Sequence, residues 1–306
     1  MNLRAKLWYE YSGAAKEQKL KPDLYSLLIW KEAQDIQSGY SSHNNRVLSF
    51  VEMIDQGELD ILILDLLRTF PNHPRFQSQM GLSISLRTIL VAFAYYSFPH
   101  PESYKEPLRT CTYQIGYCQS LNFIVGYLLL VFTQDLEYET SDLKEMYDIE
   151  EKVFWMLITI IEKLMPPKMY GSDLKGARNQ QQVLWKWIIR EHGESFGLDK
   201  LSKWLKKNDQ RLDPFLSITT GWFMNLYINI FPNDTTLRIL DCVFYQGEKT
   251  LYRAAVGFFQ IHQASIIGFH EWFDACRYYS LNLMSQIHKK FTKKYDKCTR
   301  PFGKNV

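Results

Sequence analysis

The amino-acid sequence predicts an all-α protein with little or no β-sheet. Three observations carry that reading. Apolar residues recur at i, i+3 and i+4 along most of the chain, whereas alternating apolar and polar runs are few. Glycine is sparse, at 15 residues in 306, and hydrophobic residues make up 46% of the chain, which supplies an ample core. Aromatics reach 15%, which argues for dense packing and against disorder.

The elements follow in chain order. Leu3 to about Gly13 predicts a helix whose Leu7 and Trp8 pack inward, with Arg4 one turn before Trp8. Tyr25 to Ser38 predicts a second amphipathic helix offering Leu27, Leu28, Trp30 and Ala33 for burial, and the stretch from Ser38 to Asn45 is a loop by composition. Leu59, Leu62, Ile63, Leu66 and Leu67 then fall at i, i+3, i+4, i+7 and i+8, one apolar face of a helix that Pro71 stops. Asp65 and Arg68 fall off that face. They are three residues apart, so the carboxylate is placed to hold and orient the guanidinium; on spacing alone this is a surface ion pair.

Leu82 to Tyr96 carries a helical stripe of Leu86, Leu90 and Phe93, and the three prolines between Ser97 and Cys111 forbid a long helix there. In the segment Ile115 to Asn122, Gly116 permits an unusual backbone turn and Ser120 is suited to cap the apolar run Leu121 to Phe132. Gln119 lies just before that helix start. Its amide both donates and accepts, as positioning a water requires, and the helix end favours anionic groups.

A polar link follows from Phe132 to Ser141, then an apolar-striped helix from Asp148 to Met165 that ends at Pro166-Pro167. Met169 to Asn179, with Gly171 and Gly176, reads as the seam between lobes. Further helices are expected over Gln180 to Glu191, Leu198 to Lys206, Phe215 to Phe231, Thr235 to Tyr245 and Thr250 to Ala264, with a last one from about Phe269 towards Lys294. The organisation expected is a first lobe over residues 1–170, a second over 171–285, and a basic tail over 286–306.

Several function classes are excluded. Between Lys289 and Lys304 seven basic residues stand against Asp296, which leaves the rest of the chain slightly acidic within a formal total of +3; this is not the footprint of a nucleic-acid binder. The tail is most simply a solvated helix end, with weak contact to anionic membrane as the other use. Cys111, Cys118, Cys242, Cys276 and Cys298 are odd in number and include no C-x-x-C pair, which implies a reduced, cytoplasmic chain. The longest apolar run, Leu121 to Phe132, is too short to span a bilayer, and the first residues lack the apolar core of a signal peptide. The seven histidines form no metal-ligand spacing, and His262 and His270 read as core or surface residues. There is no G-x-S-x-G, no P-loop and no G-x-G-x-x-G, so the chain is not expected to bind and hydrolyse GTP itself.

The pattern of Leu62, Asp65 and Arg68, continued by Thr69-Phe70-Pro71, resembles the second motif of TBC-domain Rab GTPase-activating proteins. Tyr117-x-Gln119, within Gly-Tyr-Cys-Gln-x-x-Asn, resembles the third, and Arg4 with Trp8 the first. Gly221-Trp222-Phe223, Pro232 and the run Arg238 to Gly247 continue the match in order to about residue 270. The resemblance implies a two-lobed helical fold that binds a GTP-loaded Rab and switches it off in vesicle traffic. It implies Arg68 as an arginine finger and Gln119 as a glutamine finger, with magnesium and GTP held by the partner. By the same resemblance Asp65 orients Arg68, Leu62 anchors its helix, Tyr117 packs beneath Gln119, and Asn122 holds the loop to the helix start. The chain departs from the family where Leu62 replaces the usual Ile, Ser120 the usual Gly and Leu240 a common Trp, and where the Ser97 to Cys111 connection is longer. A catalytically weak Rab-binding scaffold of the same fold is the competing expectation, and a membrane-associated helical scaffold using the tail is a third.

Overall fold

The structure, a computed structural model, describes residues 1–29, 56–77, 81–97, 115–136, 142–171, 173–207, 213–269, 271, 273–275 and 278. Every regular element among them is helical. Trp30, Ala33, the loop from Ser38 to Asn45, most of the Ser97 to Cys111 connection, His270, the last predicted helix beyond Tyr278 and the basic tail lie outside the described residues. The chain divides into two compact units, Met1–Asp173 and Leu174–Val306.

The first unit is built around Leu82–Ser97, a helix apolar almost all round and therefore buried on nearly every side. Its Leu86, Ile89, Leu90 and Phe93 are fully enclosed. Against it pack Leu121–Phe132 and Leu143–Thr159. The latter starts five residues earlier than its apolar stripe suggests, because Asp142 accepts from the Lys144 N–H and caps it. It runs into a widened π turn, Ile160–Leu164, before Pro166.

The opening helix Leu3–Tyr11 is capped by Asn2, whose Oδ1 accepts from the Ala5 N–H at 2.8 Å while its Nδ2 donates to the Val131 carbonyl at 2.6 Å. That second bond fixes which way the helix faces. Ala5, Trp8 and Tyr9 are buried and Leu7 is exposed, contrary to the inward position expected for it. Leu28 is buried as its pattern predicts and Tyr25 is buried near it in sequence, whereas Leu27, also expected inside, is exposed.

The second unit has an aromatic core. Trp222 lies 5.0 Å from Phe258, and Tyr227 stacks on Phe231 at 4.8 Å. The helix expected from Phe215 to Phe231 is instead Asp213–Met224. Beyond Met224 the backbone turns left-handed at Leu226, Tyr227 and Asn229, which lets Tyr227 donate to the Leu251 carbonyl at 2.8 Å. Gln181, in Lys175–Gln182, donates to the Leu216 carbonyl and to Thr219 and Thr220, fixing that helix to Asp213–Met224. The final described helices, Asn233–Gln246 and Lys249–Ile266, pack on each other.

Candidate functional site

The helix Gln56–Arg68 reads Leu-Asp-Ile-Leu-Ile-Leu-Asp-Leu-Leu-Arg from Leu59, so apolar residues surround it and periodicity alone does not choose the inner face. The structure buries Leu62, Asp65 and, just past the end, Thr69. Ile63 and Leu67, assigned to the core by their spacing, are exposed, as are Ile61 and Leu64. Asp65 is therefore an inward residue, and it forms no ion pair with Arg68 among the described residues. That corrects the expectation that the carboxylate orients the guanidinium through space.

What turns Asp65 inward is a donor from the other motif, 52 residues away in sequence. The Tyr117 hydroxyl donates to Asp65 Oδ2 at 2.8 Å, and both groups are buried. A buried carboxylate without such a donor costs several kcal/mol, on the order of the desolvation penalty of a charge. Burial first, and then the Asp65 hydrogen bond and charge, push the Tyr117 hydroxyl far above its ordinary value, so it remains a donor at every accessible pH.

A second tie runs alongside. Thr69 Oγ1 donates to the Asp65 carbonyl at 2.6 Å and accepts from Asn122 Nδ2 at 2.8 Å; Asn122 Oδ1 accepts from the Ser120 N–H at 3.1 Å. Asn122 thus ties the loop residue Ser120 to Thr69, just past the end of the Gln56–Arg68 helix. Ser120 does not cap with its side chain, contrary to its sequence reading. It sits at φ 98, where a side chain is strained, and its own N–H is held by Asn122 Oδ1.

The loop's other end is fixed too. The Ile115 N–H donates to the Ser97 carbonyl at 3.1 Å, Ser97 Oγ donates to the Gly116 carbonyl at 3.2 Å, and Gly116 takes φ 61. Gly126 lets the two segments approach: a Cβ there would lie 2.9 Å from Thr69 Cγ2 and 3.0 Å from Phe70 Cε2. Phe70 itself is left-handed and wedged between Phe76 and Phe123.

The result is two exposed polar side chains on fixed backbones. Arg68 is exposed between buried Asp65 and buried Thr69, at a helix C-terminus where a cation is favoured. Gln119 is exposed two residues past buried Tyr117, just before a helix N-terminus. Arg4 is half-buried, one turn before the enclosed Trp8 and in the same unit. Leu62 is enclosed. Thr69, quoted in the second motif without a role, and Gly126, which the pattern does not single out, carry the geometry. A Thr four residues after Asp65 is placed for back-bonding to a carbonyl, and a lone Gly in an apolar run signals close packing. Among the described residues no group of His, Cys, Asp or Glu is arranged to hold a metal ion.

A profile of the Rab-GTPase-TBC domain family matches residues 1–267. This chain belongs to that family. It is 28% identical over 292 residues to the growth hormone-regulated TBC protein 1 of Xenopus tropicalis, covering 89% of this chain and 71% of that protein. It is 29% identical over 284 residues to the GTPase-activating protein MSB4 of Saccharomyces cerevisiae, covering 86% of this chain but 48% of the yeast protein. The chain therefore spans about half the length of that yeast relative. The crystal structure of the Chlamydomonas flagellar RabGAP TBC domain superposes with a TM-score of 0.61 at 22% identity, over 93% of this chain and 75% of that one, which supports the all-helical fold. No described helix of the TBC domain is long and apolar enough to cross a membrane.

Proposed function

We propose that this TBC domain accelerates GTP hydrolysis on a Rab-type GTPase by presenting Arg68 and Gln119 to the partner's active site, and so ends a step of vesicle traffic on the cytoplasmic side. The observation that carries the reading is the contrast within each motif. Arg68 and Gln119 are exposed, while the residues that brace them, Asp65, Thr69, Tyr117 and Asn122, are buried and hydrogen-bonded to one another. The curated relatives bearing the name GTPase-activating protein support the same activity.

Hydrolysis of the γ-phosphoryl group spreads negative charge over its oxygens and requires a water in line with the leaving group. The partner holds GTP and magnesium. Arg68, always charged, neutralises the developing charge, and Gln119 accepts from and donates to the attacking water. An arginine supplied in trans is worth about 10³- to 10⁵-fold, which is roughly 4 to 7 kcal/mol off the barrier. Prior fixing of both backbones means that little ordering remains to be done when the partner arrives.

The reading is tested by single-turnover phosphate release from a panel of GTP-loaded Rabs. The wild type should accelerate at least one Rab, and Arg68→Ala and Gln119→Ala should each remove most of the effect, about 10²-fold or more. A second reading, a binder with weak catalysis, draws on the strained Ser120 beside Gln119. It requires Rabs that bind the wild type without faster turnover.

A further inference from the structure

We propose that Thr69 is a positioning residue that couples the conformation of the Gln119 loop to the Arg68 helix; the proposal deepens the reading of Arg68 and Gln119 as a presented pair and rests on it. The Thr69 hydroxyl has one proton, and that proton is committed to the Asp65 carbonyl at 2.6 Å. Towards Asn122 the oxygen can only accept, so it is the Nδ2 end of the amide that faces it, at 2.8 Å. A planar amide held by one end points its Oδ1 the other way, where the Ser120 N–H donates to it at 3.1 Å. Asp65, Thr69 and Asn122 are buried, which keeps water from exchanging with these bonds.

The relay joins the backbone one residue after each exposed side chain: Thr69 follows Arg68, and Ser120 follows Gln119. The Ser120 N–H shares its peptide plane with the Gln119 carbonyl, so whatever fixes that N–H fixes where the Gln119 backbone points. Ser120 needs the help, because φ 98 is a strained choice for a residue with a side chain. Tyr117 and Asp65 secure the loop on its other side, but neither reaches Ser120.

Thr69→Val keeps the shape and removes the hydroxyl; Thr69→Ser keeps the hydroxyl. The first readout needs no partner: amide hydrogen exchange of the free protein, resolved at Ser120, with Leu90 and Val125 in the core reporting general loosening. Thr69→Val should speed exchange at Ser120 by about tenfold or more with the core amides unchanged, and Thr69→Ser should restore the slow rate. The second readout uses a responding GTP-loaded Rab, on which Thr69→Val should lower kcat by about tenfold while KM stays within about twofold, with Thr69→Ser near wild type. Unchanged exchange at Ser120 overturns the proposal whatever the activity does, and so does equal loosening at Leu90 and Val125. If Ser120 loosens selectively and no Rab responds to the wild type, the relay stands and the proposed activity falls.

Discussion

Asp65 shows how a single buried carboxylate can tie two sequence motifs together. Its Oδ2 accepts from Tyr117 and its backbone carbonyl accepts from Thr69, so one residue supports the arginine helix and anchors the glutamine loop. Tyr117→Phe removes the donor and leaves the carboxylate enclosed. A charged group so orphaned costs about 3 kcal/mol or more, to be read as a lower denaturant midpoint, with a fall in GTPase activation as the loop loosens. Ser120 is the opposite case, a residue whose backbone is strained where the family usually has glycine. Ser120→Gly should stabilise the chain by about 0.5 to 1 kcal/mol, the left-handed penalty less the entropy that glycine loses. It should leave activation within about twofold, since the N–H to Asn122 remains. A tenfold gain in activation would instead favour the weak-catalyst reading. Motif order alone nominates Arg68, Gln119, Tyr117 and Asn122 as candidates. The inward turn of Asp65 was not legible in the sequence, because its partner is 52 residues away and a helical wheel records only neighbours.

Among elements, the clearest sequence signals came from helices buried on most sides. Leu82–Ser97 and Leu121–Phe132 match their apolar runs closely. Gln56–Arg68 is apolar on every side, so its inner face was set by packing against the loop and not by pattern. The overlong Phe215 to Phe231 helix failed for a related reason: an aromatic-rich stretch keeps a helical stripe while the backbone reverses at three left-handed residues. Leu143–Thr159 offers a test at this scale. Its Glu150 accepts from Tyr25 at 3.2 Å, and burial raises its carboxyl above the ordinary 4.5, with the hydrogen bonds of Ser85 and Tyr25 pulling part of the way back. The folded chain thus holds this proton more tightly than the unfolded chain. The stability it contributes is complete below about pH 4.5 and is lost as pH rises through the raised value. Glu150→Gln, which cannot titrate, should therefore gain stability relative to the wild type between about pH 4 and pH 7, measured by urea midpoints at both. A difference that shrinks over that interval would contradict the assignment.

At the scale of the whole molecule, the first unit holds both exposed motif residues together with all of the hydrogen bonds that brace them. The all-helical class followed from composition and periodicity, and the family from motif order. The hydrogen-bond ties between the motifs followed from neither. The central claim is that this chain supplies both the cation and the water-positioning amide. The most direct measurement is single-turnover hydrolysis by a responding Rab whose own catalytic glutamine has been replaced by alanine. If Gln119 does that work in trans, the wild-type TBC domain should still accelerate this altered Rab to within about tenfold of its effect on the normal one, and Gln119→Ala should lose that acceleration. If the altered Rab still binds but hydrolyses no faster with the TBC domain than without it, the amide comes from the GTPase and the account of Gln119 is wrong.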